Sequence, residues 1–563
     1  MLRCWWRDDG QPNMAAAETK RADMDGCHGN EKGGHGWLPR KRRGRTWMAG
    51  TETKRAAKHG CHGDEKGDEE MMKMKKKAIY YIIGVMLLAA LEAQAGEYRY
   101  RLHLDGKPGS EPVKWSDRAL ERRARFGIQT DSLDLEISPE YIQRIEEAGL
   151  NIITRSRWLN TVVVMGAEGE AVSDSLFDAL PFVKEVELIT DHQRVTAPPR
   201  LTMDPGVIGE EDCTTPLREV NAYEPLYEAG YRGAGMLVAV VDAGYSHVDE
   251  WDWMNRNVVG GRDMYAAMRG ESYLYTSEMH GTCCLSIMAT PLDHGICGTA
   301  QDAKYYLMVS ESNESETQLE EDMWVAAVEL ADSLGADVVS SSLGYYTYET
   351  EFNDHTYDEF CQDKAVISRG ANVACKKGML MCIAAGNERN KSWVRLTFPA
   401  DVEDVLSIGA VTPSGEVAYF SSAGFTVPYV KPDVMGRGTR CYIVTSRGGV
   451  SSNGQGTSYA TPFIAGLCTS LWSAVPQLTA AQIRQVVRES ASQYNEPDSL
   501  MGYGVPDFGV ALEKARVLVE EMGIDEVRAD VLRAEDRVYD LMGRPLGRGA
   551  KGGFRIVGGR VRR

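Results

Sequence analysis

From position 96 onward, the pattern of apolar and polar positions divides the chain into two kinds of segment. Between 98 and 189 the apolar runs are short. Tyr98 to Leu104 alternates apolar with polar residues, as a strand does when one face is buried. Asn151 to Arg155, Leu159 to Met165 and Val183 to Ile189 read as further short strands. Two helical stretches separate them: Ser138 to Ala148, with Ser138 as cap and Pro139 at the first position, and Ala171 to Leu180. The order is β-α-β-β-α-β, a small α+β unit of the split ferredoxin-like kind. Beyond 236 the runs lengthen. Leu237 to Val241 and Met381 to Ala385 are continuously apolar, the mark of strands buried on both faces of a parallel sheet. Gly335 to Ser341, Leu380 to Ala385 and Val405 to Val411 read as strands. Gln318 to Ser333, as an amphipathic helix, Ala480 to Ser490 and Phe508 to Val519 read as helices. This alternation predicts an α/β domain with a doubly wound, mostly parallel sheet.

Candidate chemistry sits where these elements end. Gly456-Thr457-Ser458-Tyr459-Ala460-Thr461-Pro462 presents one serine at a glycine-tight turn, ahead of the apolar run 463–467. Ser458 then lies near a helix N-terminus, where the dipole favours developing negative charge. Pro462 is expected where no backbone donor is needed. Leu237 to Val241 runs into Asp242-Ala243-Gly244, which puts a carboxylate at a strand tip. His280-Gly281-Thr282 opens a small, apolar segment, and Met381 to Ala385 ends in Gly386-Asn387-Glu388. Taken singly, these are a capping serine, a turn aspartate, a surface histidine and a turn asparagine. Together they supply a nucleophile, a base, a carboxylate to orient the base and an amide donor.

At these residues the chain resembles the subtilisin-like serine proteases (subtilases), in which Asp, His and Ser follow one another in this order. The similarity runs from about Tyr223 to Ala515 and includes Gly335 to Gly344. It implies a subtilisin-like fold and a secreted serine endopeptidase acting through an acyl-enzyme. Ser458 would be the nucleophile, His280 the general base and then acid, and Asp242 the residue that orients it. The Asn387 amide and the Ser458 N–H would form the oxyanion hole. Ser342, Leu343 and Gly344 would pair with substrate backbone, and Ala384, Ala385 and Gly386 would wall the primary specificity pocket. The chain departs from the family at Ala243, where Ser or Thr is commoner. It departs again at Cys283-Cys284, where thiols beside the base would make the site sensitive to oxidation. The resemblance also makes residues 96–199 a propeptide that templates folding, with its last strand in the active-site cleft until cut. Together with Trp158-Leu159-Asn160, this region is similar to secreted subtilases of Bacteroidetes-like bacteria. Two rival readings stay open: a catalytically silent surface binding protein of the same fold, and an enzyme that cuts only its own propeptide. A plain accessory domain is the alternative for 96–199.

Composition narrows the partners. A net charge of −18 over 563 residues argues against nucleic acid and leaves proteins or peptides as substrates. No cofactor or metal is required by any motif. A structural calcium stays open, although no calcium-loop spacing is present. Glu311, Glu316, Glu320 and Glu321 gather at one helix start, where dipole complementarity accounts for them. Arg118, Arg122, Arg123 and Arg125 read as a solvated helix face. Nine of the twelve cysteines lie from Cys213 onward. Cys382 and Cys468 read as buried thiols, and Cys361 with Cys375 is a conceivable disulfide.

The two ends differ from the middle. Residues 1–73 are polar and repeat themselves: Glu18 to Ala22 recurs at Glu52 to Ala56, and Cys27-His28-Gly29 at Cys61-His62-Gly63. Without an apolar face this does not stack as a helical repeat, and flanks with no strand or helix pattern argue against a zinc site at the two Cys-His pairs. It reads as disordered or untranslated, with the true start at Met71, Met72 or Met74. Residues 74–95 carry a basic start, an apolar run from Ala78 to Leu91 and the Ala93-Gln94-Ala95 cleavage pattern of a secretory signal, with Gly96 as the new N-terminus. A signal anchor is the alternative. These features point to a secreted or cell-surface protein that passes through the periplasm. The basic tail 527–563 carries two strand signals and resembles the sorting tail of proteins exported across an outer membrane by the type IX machinery. The expected catalytic domain is 213–520.

Overall fold

The computed structural model describes residues 98–190, 214–312, 315–349 and 353–522, together with four short backbone strands between 538 and 562. All of them belong to one compact unit, Ile83–Arg563. The upstream repeat, the signal-like segment, the end of the expected propeptide and Cys213 lie outside the described residues.

The N-terminal domain has the predicted topology. Strands β1 (Arg99–Leu104), β2 (Asn151–Ser156), β3 (Thr161–Met165) and β4 (Val183–Thr190) form an antiparallel sheet in the order β2-β3-β1-β4, with helices α1 (Asp117–Phe126), α2 (Pro139–Glu147) and α3 (Asp174–Asp178). One side of β1 follows the alternation inward: Tyr100, Leu102 and Leu104 pack with Val162, Val164, Ile145 and Phe177. Ser138 stands at the cap position of α2, but its hydroxyl donates to Pro108 O at 2.8 Å and makes no cap. The helix expected over 171–180 shrinks to the five residues of α3.

In the larger domain seven parallel strands stack in the order β11-β10-β9-β8-β5-β7-β6. These are β5 (Leu237–Asp242), β6 (Val258–Asp263), β7 (Lys304–Val309), β8 (Val338–Ser341), β9 (Leu380–Ala384), β10 (Leu406–Val411) and β11 (Val434–Arg437). The longer helices are α4 (His280–Ala289), α5 (Leu319–Leu334), α6 (Val366–Lys376), α7 (Thr457–Ala474), α8 (Ala480–Glu489) and α9 (Phe508–Glu521). Both sheet faces are covered. Leu237, Ala239 and Val241 pack under α5 and α6, and Val238 and Val240 face α4, α7, α8 and α9. A strand with apolar residues at every position therefore buries all of them.

Several polar stretches are buried against sequence expectation. Helix α5 was expected to keep a solvated face, yet Asp322, Glu329 and Asp332 are all buried under the N-terminal domain. Glu329 receives Ser156 Oγ at 2.5 Å, Trp158 N at 3.0 Å and Arg157 Nη1 at 3.1 Å. Asp322 receives Arg101 Nη2 at 2.7 Å. The basic run on α1 is part of the same surface: Arg122 and Arg123 are buried and both pair with Asp332, while Arg118 pairs with Asp337. It is an interface and not a solvated face, because complementary carboxylates across the domain boundary replace water.

The acidic cluster is also more than a dipole partner. Glu321 is buried and accepts from Tyr348 Oη, His355 Nε2 at 2.8 Å and Ile367 N at 2.9 Å, and Glu311 accepts from Tyr345 Oη. Cys361 and Cys375 are free thiols, so the conceivable disulfide is not formed. The tail carries four short antiparallel strands where two were expected. No helix among the described residues is long and apolar enough to cross a membrane.

Candidate active site

The sequence-predicted residues converge at the C-terminal edge of the parallel sheet, where the tips of open α/β sheets leave a crevice. Asp242 ends β5 and is fully buried. Its Oδ1 lies 2.6 Å from His280 Nδ1 and also accepts from Ala243 N at 2.8 Å. His280 is the first residue of α4 and stays 30% exposed, so one edge of the ring reaches solvent while the other is held by the buried carboxylate.

Ser458 is the second residue of α7, whose cap Gly456 has φ +149°. Its hydroxyl donates to Ser342 O at 3.3 Å. Pro462 lies inside the helix, where a backbone donor is ordinarily needed, contrary to expectation. It lacks the N–H that would reach back four residues to Ser458 O. That carbonyl instead accepts from Ser342 Oγ at 2.7 Å and from Cys284 Sγ at 3.3 Å. The missing helix bond is thereby exchanged for a tie between the serine turn and the segment after β8. The four-residue spacing from Ser458 to Pro462 was the signal available in the sequence, and the partner that answers it was not.

Asn387 follows β9. Its Oδ1 accepts from Thr457 N at 2.9 Å and Thr457 Oγ1 at 3.1 Å, which leaves Nδ2 as the end of the amide turned to the cleft. A Cβ placed on Gly456 would lie 3.6 Å from Ser458 N and 3.7 Å from Asn387 Nδ2. Those two donors therefore border one small space, which a side chain at 456 would enter. Sequence reasoning gave Thr457 no role. Its hydroxyl also accepts from Gly386 N at 3.2 Å, so this one side chain fixes both Asn387 and the wall Ala384-Ala385-Gly386. Ser342, Leu343 and Gly344 follow directly on β8, and Ser342 is bonded to Ser458.

Cys283 and Cys284 are buried in α4, with Cys283 Sγ 3.4 Å from Val444 O. Burial, reinforced by Asp242, pushes the Cys283 thiol up to about 12 and raises Cys284 as well. Both are held as thiols, which removes the reason for expecting ready oxidation. Among the described residues two groups have a cation donor set, Asp242–His280–Cys284 and His103–Glu185–Glu187. In each the imidazole already bonds a carboxylate, at 2.6 and 2.8 Å.

Residues 233–504 match the model of the subtilase family, and residues 110–201 match that of the peptidase S8 propeptide domain of Bacteroidota. Subtilisin DY of Bacillus licheniformis is 30% identical over 273 residues, covering 47% of this chain and 87% of that enzyme. The chain belongs to the subtilase family. It is a serine endopeptidase of the Bacteroidota group, with a propeptide domain ahead of the catalytic domain. Subtilisin E of Bacillus subtilis is 31% identical over 273 residues, covering 47% of this subtilase and 63% of its relative. Fervidolysin from Fervidobacterium pennivorans, a solved structure, aligns at a TM-score of 0.49 with 20% identity, over 75% of this chain and 63% of its own. In this subtilase the ferredoxin-like N-terminal domain falls within the propeptide match, apart from its first strand.

Proposed function

We propose that this subtilase hydrolyses peptide bonds in protein substrates through Ser458, His280 and Asp242, with Asn387 and the Ser458 N–H as the oxyanion donors. The observation that carries the proposal is the 2.6 Å bond between the fully buried Asp242 and the partly exposed His280, with Cys284 Sγ 4.0 Å from that imidazole and 3.3 Å from Ser458 O. The buried carboxylate fixes the Nδ1–H tautomer and leaves Nε2 as the base. His280 takes the Ser458 proton as Oγ attacks the substrate carbonyl. The same proton passes to the leaving amine, and water then releases the acyl group by the reverse sequence. The 3.3 Å bond from Ser458 Oγ to Ser342 O is long enough for a better acceptor to replace it. Negative charge on the tetrahedral intermediate develops in the space bordered by Asn387 Nδ2, Ser458 N and Gly456.

The propeptide domain, in this reading, inhibits its own protease until cut between Pro199 and Asp212. Residues 74–95 act as the leader of a secreted enzyme, and 527–563 engage an export machinery. The intact carboxylate–imidazole pair favours an active enzyme over a silent binding protein. Purified chain from Gly96 onward, wild type beside Ser458→Ala, tests the central claim by intact mass and casein hydrolysis. Wild type is expected to shed a fragment ending between 199 and 212 and to degrade casein, with Ser458→Ala doing neither. Two inert, full-length proteins would sink it.

A further inference from the structure

One buried side chain stands between the two halves of the proposed catalytic pair. Cys284 lies on α4 one turn after His280, so the two side chains share a face of that helix. Its Sγ is 4.0 Å from His280 Nδ1 and 3.3 Å from Ser458 O. A carboxylate oxygen of Asp242 lies within 4.8 Å of both the sulfur and the ring. The cysteine is fully buried, whereas its neighbour Cys283 has its Sγ on Val444 O and takes no part in this contact.

The Ser458 carbonyl is open to such a contact because of Pro462. In an uninterrupted helix the N–H four residues on would occupy it, and proline has none. Two donors from outside α7 reach that oxygen instead. Ser342 Oγ, at 2.7 Å, comes from the segment after β8, and the same residue receives the Ser458 hydroxyl on its carbonyl at 3.3 Å. Cys284 Sγ comes from the helix that carries the base. Ser342 therefore fixes the serine turn to the segment after β8, and Cys284 fixes it to α4. A thiol holds such a bond only while it keeps its proton. Burial, and then the charge of Asp242, raise Cys284 well above the ordinary thiol range, so the donor persists wherever the imidazole is neutral enough to act.

We infer that Cys284 is a positioning residue, whose thiol donates to the Ser458 carbonyl and so holds the nucleophile's turn against the helix of its base. The inference rests on the proposed active site and adds to it a residue that acts through Ser458 and His280 without touching substrate.

The test uses the full chain after it has shed its propeptide, wild type beside Cys284→Val and Cys284→Ser. Valine keeps the bulk and removes the donor; serine keeps a donor and loses some bulk. With one neutral hydrogen bond at stake, Cys284→Val is expected to lower kcat about 3–10-fold and leave KM within ~2-fold, while Cys284→Ser keeps kcat within ~2-fold of wild type. The rate at which a small sulfonyl fluoride modifies Ser458 should fall in Cys284→Val by the same factor as kcat. That reagent needs the nucleophile and the base but not the segments that bind peptide. A sulfur that only fills space predicts the reverse order, with valine matching wild type and serine, a hydroxyl in an apolar slot, the weaker enzyme. That order would overturn the inference, as would equal losses in both variants or a loss confined to KM. Should Cys284→Val not fold, Cys284→Ala replaces it: the same loss beside an unaffected Cys284→Ser supports the inference, and activity within ~2-fold of wild type overturns it. Failure of the active-site reading looks different: wild type would cut no peptide, or Ser458→Ala would cut as well as wild type, and the inference would fall with it.

Discussion

Replacing Asp332 with alanine should loosen the propeptide domain without touching Asp242, His280 or Ser458. Asp332 is fully buried on α5 and faces three guanidinium groups from the N-terminal domain. Arg122 pairs with its Oδ1, and Arg123 Nη2 and Arg157 Nη2 lie 3.1 and 3.6 Å from its Oδ2. These arginines are 2%, 5% and 7% exposed, so water does not replace the lost partner while the domains stay docked. Arg123 keeps Asp134 at 2.8 Å and Arg157 keeps Glu329 at 3.1 Å. Arg122 keeps only the carbonyl of Ala336, so most of the cost falls on it. Removing one member of a buried pair costs about 3–5 kcal/mol. The complex escapes that cost by letting the domain go, so it should appear as weaker docking, roughly 10²–10³-fold in the inhibition constant. The assay titrates propeptide domain into mature wild-type and Asp332→Ala enzyme and follows peptide hydrolysis. A change under ~3-fold would refute the reasoning, since pairs of that worth belong to exposed surfaces. A second arm tests the physics. Burial already pushes the Arg122 guanidinium below its ordinary value despite Asp332 and Asp337. Arg122→Leu with Asp332→Leu should therefore recover most of the affinity, as apolar replacements of buried ion pairs do.

Two further outcomes are expected. Asn387→Ala should lower kcat by about 10²–10³ with little change in KM, the magnitude known for the equivalent oxyanion donor of subtilisin itself; an equal loss in a Ser458→Ala background would assign the effect to folding. The third outcome concerns His355, where burial lowers the imidazole but Glu321 and Glu359 outweigh it and hold it at about 9, above its ordinary 6.5. A raised folded-state value means the stabilisation is complete below about pH 6.5 and is lost as pH rises through about 9, with an upper limit of roughly 3 kcal/mol. In the Ser458→Ala background, His355→Gln should lower Tm by several degrees at pH 6 and by nearly nothing at pH 10. A Tm difference that is constant across this range would refute the electrostatic account.

The strands of the parallel sheet were legible from the apolar pattern alone, because a strand buried on both faces must be apolar at every position, as Leu237 to Val241 and Met381 to Ala385 are. The sequence also placed Asp242, His280, Asn387 and Ser458 at element ends, and the structure brings their elements to one edge of that sheet. The β-α-β-β-α-β order of the N-terminal domain was legible for the same reason, since alternation along Tyr98 to Leu104 needs only one buried face. What it could not determine was where polar residues go. Arg122, Arg123, Glu329 and Asp332 have the composition of a solvated surface, and only the docking of one domain on another turns them inward, because burial of a charge depends on a partner distant in sequence. The cap at Ser138 failed in the same way, taken by Pro108 O from another segment. Thr397 is the clearest case: it lies against both Gly344 and Gly386, 53 residues after one and 11 after the other. Nothing in its own stretch marks it, and the contact exists only because the backbone of 397–398 is bonded to Ala385 on one side and Tyr345 on the other.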